Sequence, residues 1–304
     1  MPDSDAFRPS NAYENGVRTL YKYMRYPPDG DQPEVNRELR RRVEALLRDG
    51  EAYFPTAAEL NDPFEAQPRF RAKQGPPEEL FDHYSKALRE IHAPEMGWDP
   101  PTLEEMERSL RERIRTGELH ALADVIEAKY RTEFRTLYPM LCLAATRDSI
   151  QMWSYYAESH TGVCVHFDAQ LVPIGTAHRV NYSREYPTIW LPIGGLAPDR
   201  VVTLALGTKS LAWGHEKEYR LINFPQGPPH PPGSRVFDTV FRWKSPQLAV
   251  VPKDRVVGVT LGASIKDDQI EALLRVCQDR RPPLPVEWAS LERDQFALKF
   301  SRLA

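Results

Sequence analysis

Few cysteines, and no apolar run long enough to cross a bilayer, set the first limits on this chain. Cys142, Cys164 and Cys277 form no CxxC or Cys/His cluster, and an odd, unclustered set argues against a disulfide framework. Cys142 and Cys164 lie in apolar runs (MLCLAAT, GVCVHF), where a thiol behaves as a small buried hydrophobe. The N-terminal MPDSDAFRPS lacks the basic-then-apolar pattern of a signal peptide. No segment approaches the roughly 20 apolar residues that a membrane helix needs, so a cytoplasmic protein with no membrane partner is expected. Charge of one sign is lacking too. Lys and Arg number 40 against 43 Asp and Glu, a net charge of -3, so no global basic field points to nucleic acid, although a local basic groove stays open. The chain contains no GxxxxGK[ST], no GxGxxG after a strand, no HExxH and no GxSxG. Its 8 histidines are scattered without metal-ligand spacing, and no metal is expected.

What is abundant is proline, 28 in all, clustered in short stretches that read as turns and loop boundaries rather than as a linker between domains. Residues 1–18 are polar and aperiodic and read as a flexible N-terminal arm, followed by a single domain over 19–304. LYKYM (20–24) suits a short strand by its alternation. Val35, Leu39, Val43, Leu46 and Leu47 recur at helical spacing, and Gly50 closes that helix. From about 76 to 135 the chain reads as helices broken by prolines, a helical insert. Apolar or alternating runs then follow at 138–146, 162–168, 178–183, 215–224, 248–252, 255–262, 286–290 and 296–300, with helices at 198–213 and 267–277. That order predicts an α+β fold: a mixed, mostly antiparallel sheet of about eight short strands with the insert packed on one side.

Two stretches carry polar groups suited to chemistry. In DSIQMWSYYAESHTGVCVHFD (148–168) a helix from Ser149 to Glu158 gathers Met152, Trp153, Tyr155 and Tyr156 beside His160. Tyrosine and tryptophan join apolar area to a hydrogen-bonding tip, so the group either walls a ligand pocket or plugs the sheet against the helical insert. In KSLAWGHEKEYRLI (209–222), Glu216 and Glu218 are separated by one residue, so on a strand both carboxylates share a face with Arg220. Such acids can hold a sugar hydroxyl or stabilise an oxocarbenium-like centre; the alternative is a Glu–Arg ladder on the surface. Pro63 and the side chains of Asn61 and Asp62 fix a turn in ELNDPFE (59–65).

LYKY (20–23), DGEAYF (49–54), LNDPFE (60–65), MWSYYAESHTGVCVHFD (152–168) and the K…W…EKEYRLI block (209–222) together resemble a bacterial family known mainly as a domain of unknown function, numbered twenty-nine seventy-one. The blocks span most of the chain outside residues 1–18 and the insert. Where that family usually carries histidine, this chain has Tyr155, so no histidine role is carried there. The arrangement is more distantly similar to ADP-ribosyltransferase-like folds, associated with phage-defence or toxin systems. That resemblance implies an NAD-consuming transferase with NAD as substrate. It implies Glu218 and Glu216 as catalytic residues, Glu218 holding a ribose hydroxyl and Glu216 orienting the acceptor. It also implies a binding set of Tyr21, Lys22, Tyr23, Asn61, Asp62, Trp153, Tyr156, His160, Lys209, Trp213 and Arg220. Two other functions stay open: a non-catalytic sensor or interaction module that binds a nucleotide or peptide, and a nucleic-acid-acting effector that sets Lys209 and the arginines of 37–48 on phosphates.

Overall fold

The computed structural model describes residues 10–28, 33–191, 198–224 and 241–303. Eight strands form the main sheet, in the spatial order β15 (Leu298–Arg302), β14 (Val286–Leu291), β13 (Val256–Leu261), β5 (Val163–Asp168), β1 (Thr19–Met24), β4 (Met140–Ala144), β10 (Glu218–Ile222) and β6 (His178–Arg179). Every pairing in it is antiparallel except that of β13 with β14. The fold is α+β, as the order of elements in the sequence predicts. Three small sheets surround it: β11 (Arg242–Ser245), β12 (Leu248–Val250) and β2 (Glu51–Tyr53); β3 (Arg69–Arg71) with β8 (Thr188–Trp190); and β7 (Asn181–Ser183) with β9 (Thr208–Ser210). The run at 248–252 therefore pairs as β12 with β2, outside the main sheet.

One face of the main sheet is dry. Leu20, Leu141, Leu143, Val165, Phe167 and Leu221 pack there with Val43, Leu46 and Leu47 of α1 (Glu34–Asp49) and with Leu273 and Cys277 of a late helix. Alternate strand residues face one side and helix positions three and four apart share a stripe, so both periods meet at this layer. Gly50 ends α1 with φ of 76°, and a Cβ there would lie 2.2 Å from the Val251 carbonyl oxygen. Only glycine satisfies both demands. On a second side, the insert runs through α2 (Pro77–Ala87), α3 (Ala93–Met96), α4 (Pro100–Thr116) and α5 (Leu119–Thr136). Phe81, Leu110, Ala123 and Phe134 pack there against Phe70, Ile189, Met140 and Ile222.

Some expectations are corrected. Residues 10–18 are no loose arm: Ala12 is fully buried, its N–H donates to the Ala177 carbonyl, and Asn11 bridges to His178. Residues 1–9 lie outside the described ones. Three helices follow the insert: α6 (Ile150–Tyr156), α7 (Pro198–Leu206) and α8 (Asp267–Asp279). The stretch expected as one helix at 198–213 is α7, then β9, then a 3₁₀ turn. The run at 178–183 divides into β6 and β7, which join different sheets. No helix among the described residues is long and apolar enough to cross a membrane.

On the other face of the sheet the register aligns polar residues. Tyr21 opposes both Ala144 and His166, and Ala144 also opposes Glu218, so the four share a row and a face. His166 is buried, its Nε2 lies 2.8 Å from Thr260 Oγ1, and the Tyr21 ring meets it edge-on at 5.1 Å. Burial first, and then the Arg147 charge, lower the pKa of His166 from 6.5 to about 4. A folded pKa below the unfolded one means that the unfolded chain takes up the proton first, so this stability is present above pH 6.5 and is lost as pH falls toward about 4. Across that window denaturant unfolding should show stability falling by up to about 1.4 kcal/mol per pH unit from this group. His166→Gln should flatten the slope, and an unchanged slope in the variant contradicts the assignment.

Candidate functional site

The site grows from two strands, a 3₁₀ helix and a turn. Glu218 opens β10 and Arg220 follows two residues on, so both side chains leave the same face. Glu216 is not on the strand, as had been expected. It closes the 3₁₀ helix Leu211–Glu216, and Lys217, in a left-handed conformation with φ of 47°, turns the chain into β10. The two carboxylates still converge, because β9 delivers Lys209 between them: its Nζ lies 2.5 Å from Glu216 Oε2 and 3.2 Å from Glu218 Oε2. The fifth member comes from the turn at 61–65. Asp62 Oδ1 accepts from the Phe64 N–H at 2.9 Å, the side-chain-to-backbone bond expected of an Asx turn. The chain leaves that turn with Glu65 aimed at Arg220.

Arg220 is the hub. Its Nε and Nη2 donate to Glu218 at 2.7 and 2.9 Å, and its Nη1 and Nη2 donate to Glu65 at 3.0 and 2.8 Å. Glu65 Oε1 also lies 3.3 Å from Lys209 Nζ. None of Glu65, Lys209, Glu216, Glu218 and Arg220 is more than 7% exposed. Three carboxylates thus face two cations in a dry setting, an excess of one negative charge that is costly unless a proton offsets it.

The surroundings decide which carboxyl takes up a proton most readily. Burial pushes the Glu218 carboxyl up, but Arg220 and Lys209 outweigh it and hold it well below the ordinary carboxylate range. Burial and the neighbouring Glu218 charge raise Glu216, which lacks the guanidinium. Lys209 is raised in spite of its burial, by Glu218 first among the carboxylates. The Tyr156 hydroxyl donates to Glu216 Oε1 at 2.6 Å and lies 3.4 Å from Asn61 Oδ1. Tyr182, on β7, accepts from the Glu218 N–H at 2.8 Å. The Trp213 ring covers Lys209, with Nζ 5.1 Å from its centroid; Tyr155 meets that indole edge-on and His215 lies against it tilted at 37°.

Two cavities of about 290 Å³ each flank the cluster. Lys209, Glu65 and Asp62 line one. Tyr156, Lys22 and Tyr23 line the other. Of the residues expected in the site, Asn61, Asp62, Tyr156, Lys209, Trp213, Glu216, Glu218 and Arg220 are brought together.

Trp153 belongs to the core, and His160, half-buried, packs against it. Trp153 is fully buried, its indole N–H donates to the Arg147 carbonyl at 2.8 Å, Tyr23 meets it edge-on at 5.3 Å and His160 stacks on it at 6.0 Å. Trp153 plugs the sheet beside Met152, Ala144 and Cys164. Tyr21 faces His166 instead. Glu65 and Tyr182 belong to the site and were not singled out in the sequence. The turn signal at 61–65 was legible, but nothing in it marks Glu65 as buried. Of the arginines of α1, Arg41 and Arg42 are paired with Glu38 and Arg40 with Glu44, while Arg37 and Arg48 are exposed. No protein-family model, curated protein or solved structure matches the chain.

Removing one partner of a buried ionic cluster leaves the others uncompensated. Arg220→Met should therefore cost about 3–5 kcal/mol in urea unfolding, while Tyr156→Phe should cost about 1 kcal/mol. An Arg220→Met protein as stable as the wild type contradicts this account of the cluster.

Proposed function

We propose that the protein is a transferase of the ADP-ribosyl type that breaks the N-glycosidic bond of NAD, with Glu216 as the group that exchanges a proton and Glu218 as a fixed negative charge. The observation that carries this is the unequal tethering of two neighbouring carboxylates. Glu218 is clamped by the Arg220 fork and Lys209, whereas Glu216 is held by Lys209 and a neutral tyrosine hydroxyl. Paired carboxylates with environments that push their proton affinities apart are how one site divides charge stabilisation from acid–base work.

In the step envisaged, the C–N bond to nicotinamide breaks and its electron pair leaves with the neutral pyridine ring. An acceptor hydroxyl or water bonds to the anomeric carbon, and its proton passes to the Glu216 carboxylate. The ionised Glu218 favours the positive charge that develops on the sugar. Glu216 is 2% exposed, so substrate reaches it by displacing the Tyr156 hydroxyl. The sequence resemblance supplies the choice of NAD; the geometry supplies the division of labour, which differs from the roles the resemblance implies.

A second reading, a nucleotide-binding module without turnover, is favoured by the completeness of the cluster: Arg220 already bonds Glu65, Glu218 and the Leu206 carbonyl. Nicotinamide release from NAD separates the two. Glu216→Gln should lower that rate about 10²–10⁴-fold, the usual worth of a general base, with nucleotide affinity retained. Saturable binding with no release in either protein selects the binding module, and equal release rates in both overturn the role of Glu216.

A further inference from the structure

We infer that the cavity between β1, α1, β2 and α6 is a binding site for a small planar ligand carrying one anionic group, a phosphate or a carboxylate, with Lys22 as its counter-ion. The cavity, about 290 Å³, sits at the low end of the roughly 300–1,000 Å³ of small-molecule sites, and so suits a ligand of about mononucleotide size or less.

The charged side chains on its wall are partnered, with one exception. Arg25 pairs with Glu158 at 3.4 Å, and Arg42 with Glu38 at 2.9 Å. Glu51 pairs with Lys244. Glu59 accepts from the Tyr53 hydroxyl at 2.5 Å and from the Thr56 N–H at 2.8 Å. Lys22 differs. Among the described residues no carboxylate lies within ion-pair distance of it, and its amine donates to a single backbone carbonyl, that of Cys142, at 3.3 Å. Lys209, the other enclosed amine, is touched by three carboxylates.

An ammonium has three donors, and the bond to Cys142 uses only one of those on Lys22, a residue that lines the cavity. The residue is partly exposed as a whole while its amine end is deeply enclosed, and burial lowers the pKa of that amine below the ordinary lysine value. The Glu218 charge offsets part of that burial cost through space without forming an ion pair, and an anion bound directly to the amine offsets the rest.

Local geometry explains why the amine reaches this place. The β1–β4 ladder is recorded only at Tyr21 and Ala144, and beyond that pair Lys22 extends toward the carbonyl of Cys142 on the neighbouring strand. The planar part of the ligand has a platform nearby: the Arg42 guanidinium lies over the Tyr53 ring at 3.6 Å, and both line the cavity with Tyr156. A stacked guanidinium accepts a flat ring on its free face. The inference does not depend on any turnover at Glu216.

Calorimetric titration with inorganic phosphate, AMP and adenosine tests it, on the wild-type protein and on Lys22→Met and Lys22→Gln. The glutamine variant keeps a donor for the Cys142 carbonyl if the methionine variant does not fold, and thermal unfolding without ligand shows which variants do. Phosphate and AMP should bind the wild type, AMP more tightly than adenosine. Each folded variant should lose at least about tenfold in AMP affinity, as for a charge-assisted hydrogen bond, and keep its adenosine affinity. Equal affinity of AMP and adenosine for the wild type, undiminished AMP affinity in the variants, or no saturable binding of AMP overturns the inference.

Discussion

A guanidinium with no exposed surface has to be answered on every side, and the arrangement around Arg220 is organised by that need. Two carboxylates from distant parts of the chain answer it: Glu218 on its own strand and Glu65 from the turn that follows β2. The planar fork matches carboxylates two atoms at a time, so the positions of the turn at 61–65, of β10 and of β9 are set together. Lysine in place of arginine would supply the charge but not the geometry. The 3₁₀ helix and the left-handed Lys217 then bring Glu216 into the same enclosure.

Two glutamates two residues apart end up in unlike roles because of what touches them. Glu218 has a cation on each oxygen. Glu216 has one cation and one tyrosine hydroxyl. Three carboxylates over two cations leave one negative charge in excess, and it is cheapest to neutralise where the guanidinium does not reach. The cavities on either side are lined by members of this set, Glu65 and Lys209 on one and the Glu216-bound Tyr156 on the other. A ligand in either cavity therefore lies one contact away from the charges.

Much of this was legible in the sequence, and what was hidden had physical causes. Val43, Leu46 and Leu47 with Gly50 announced α1 and its end, because helical spacing and a left-handed cap are local properties. Asp62 and Pro63 announced their turn for the same reason. The pairing of Glu216 with Glu218 was visible as a pattern, yet the strand start was misplaced by the three residues before Glu218, since a 3₁₀ turn and a polar strand entrance look alike in sequence. The aromatic stretch held two kinds of residue that composition does not separate: Trp153 belongs to the core and Tyr156 to the site, three positions along one short helix. Glu65 stayed hidden because its role depends on Arg220, 155 residues away, and no local pattern encodes such a partner.

The claim on which the site depends most is that Glu216 and Glu218 hold their protons with very different strength. Carbon-detected NMR of the two side-chain carboxyls across an acid-to-neutral titration, assigned with Glu216→Gln and Glu218→Gln, reads it directly. Glu216 should titrate above the ordinary carboxylate range and Glu218 should stay ionised well below it. Two carboxyls titrating together near the ordinary value, or in the reverse order, contradict the account.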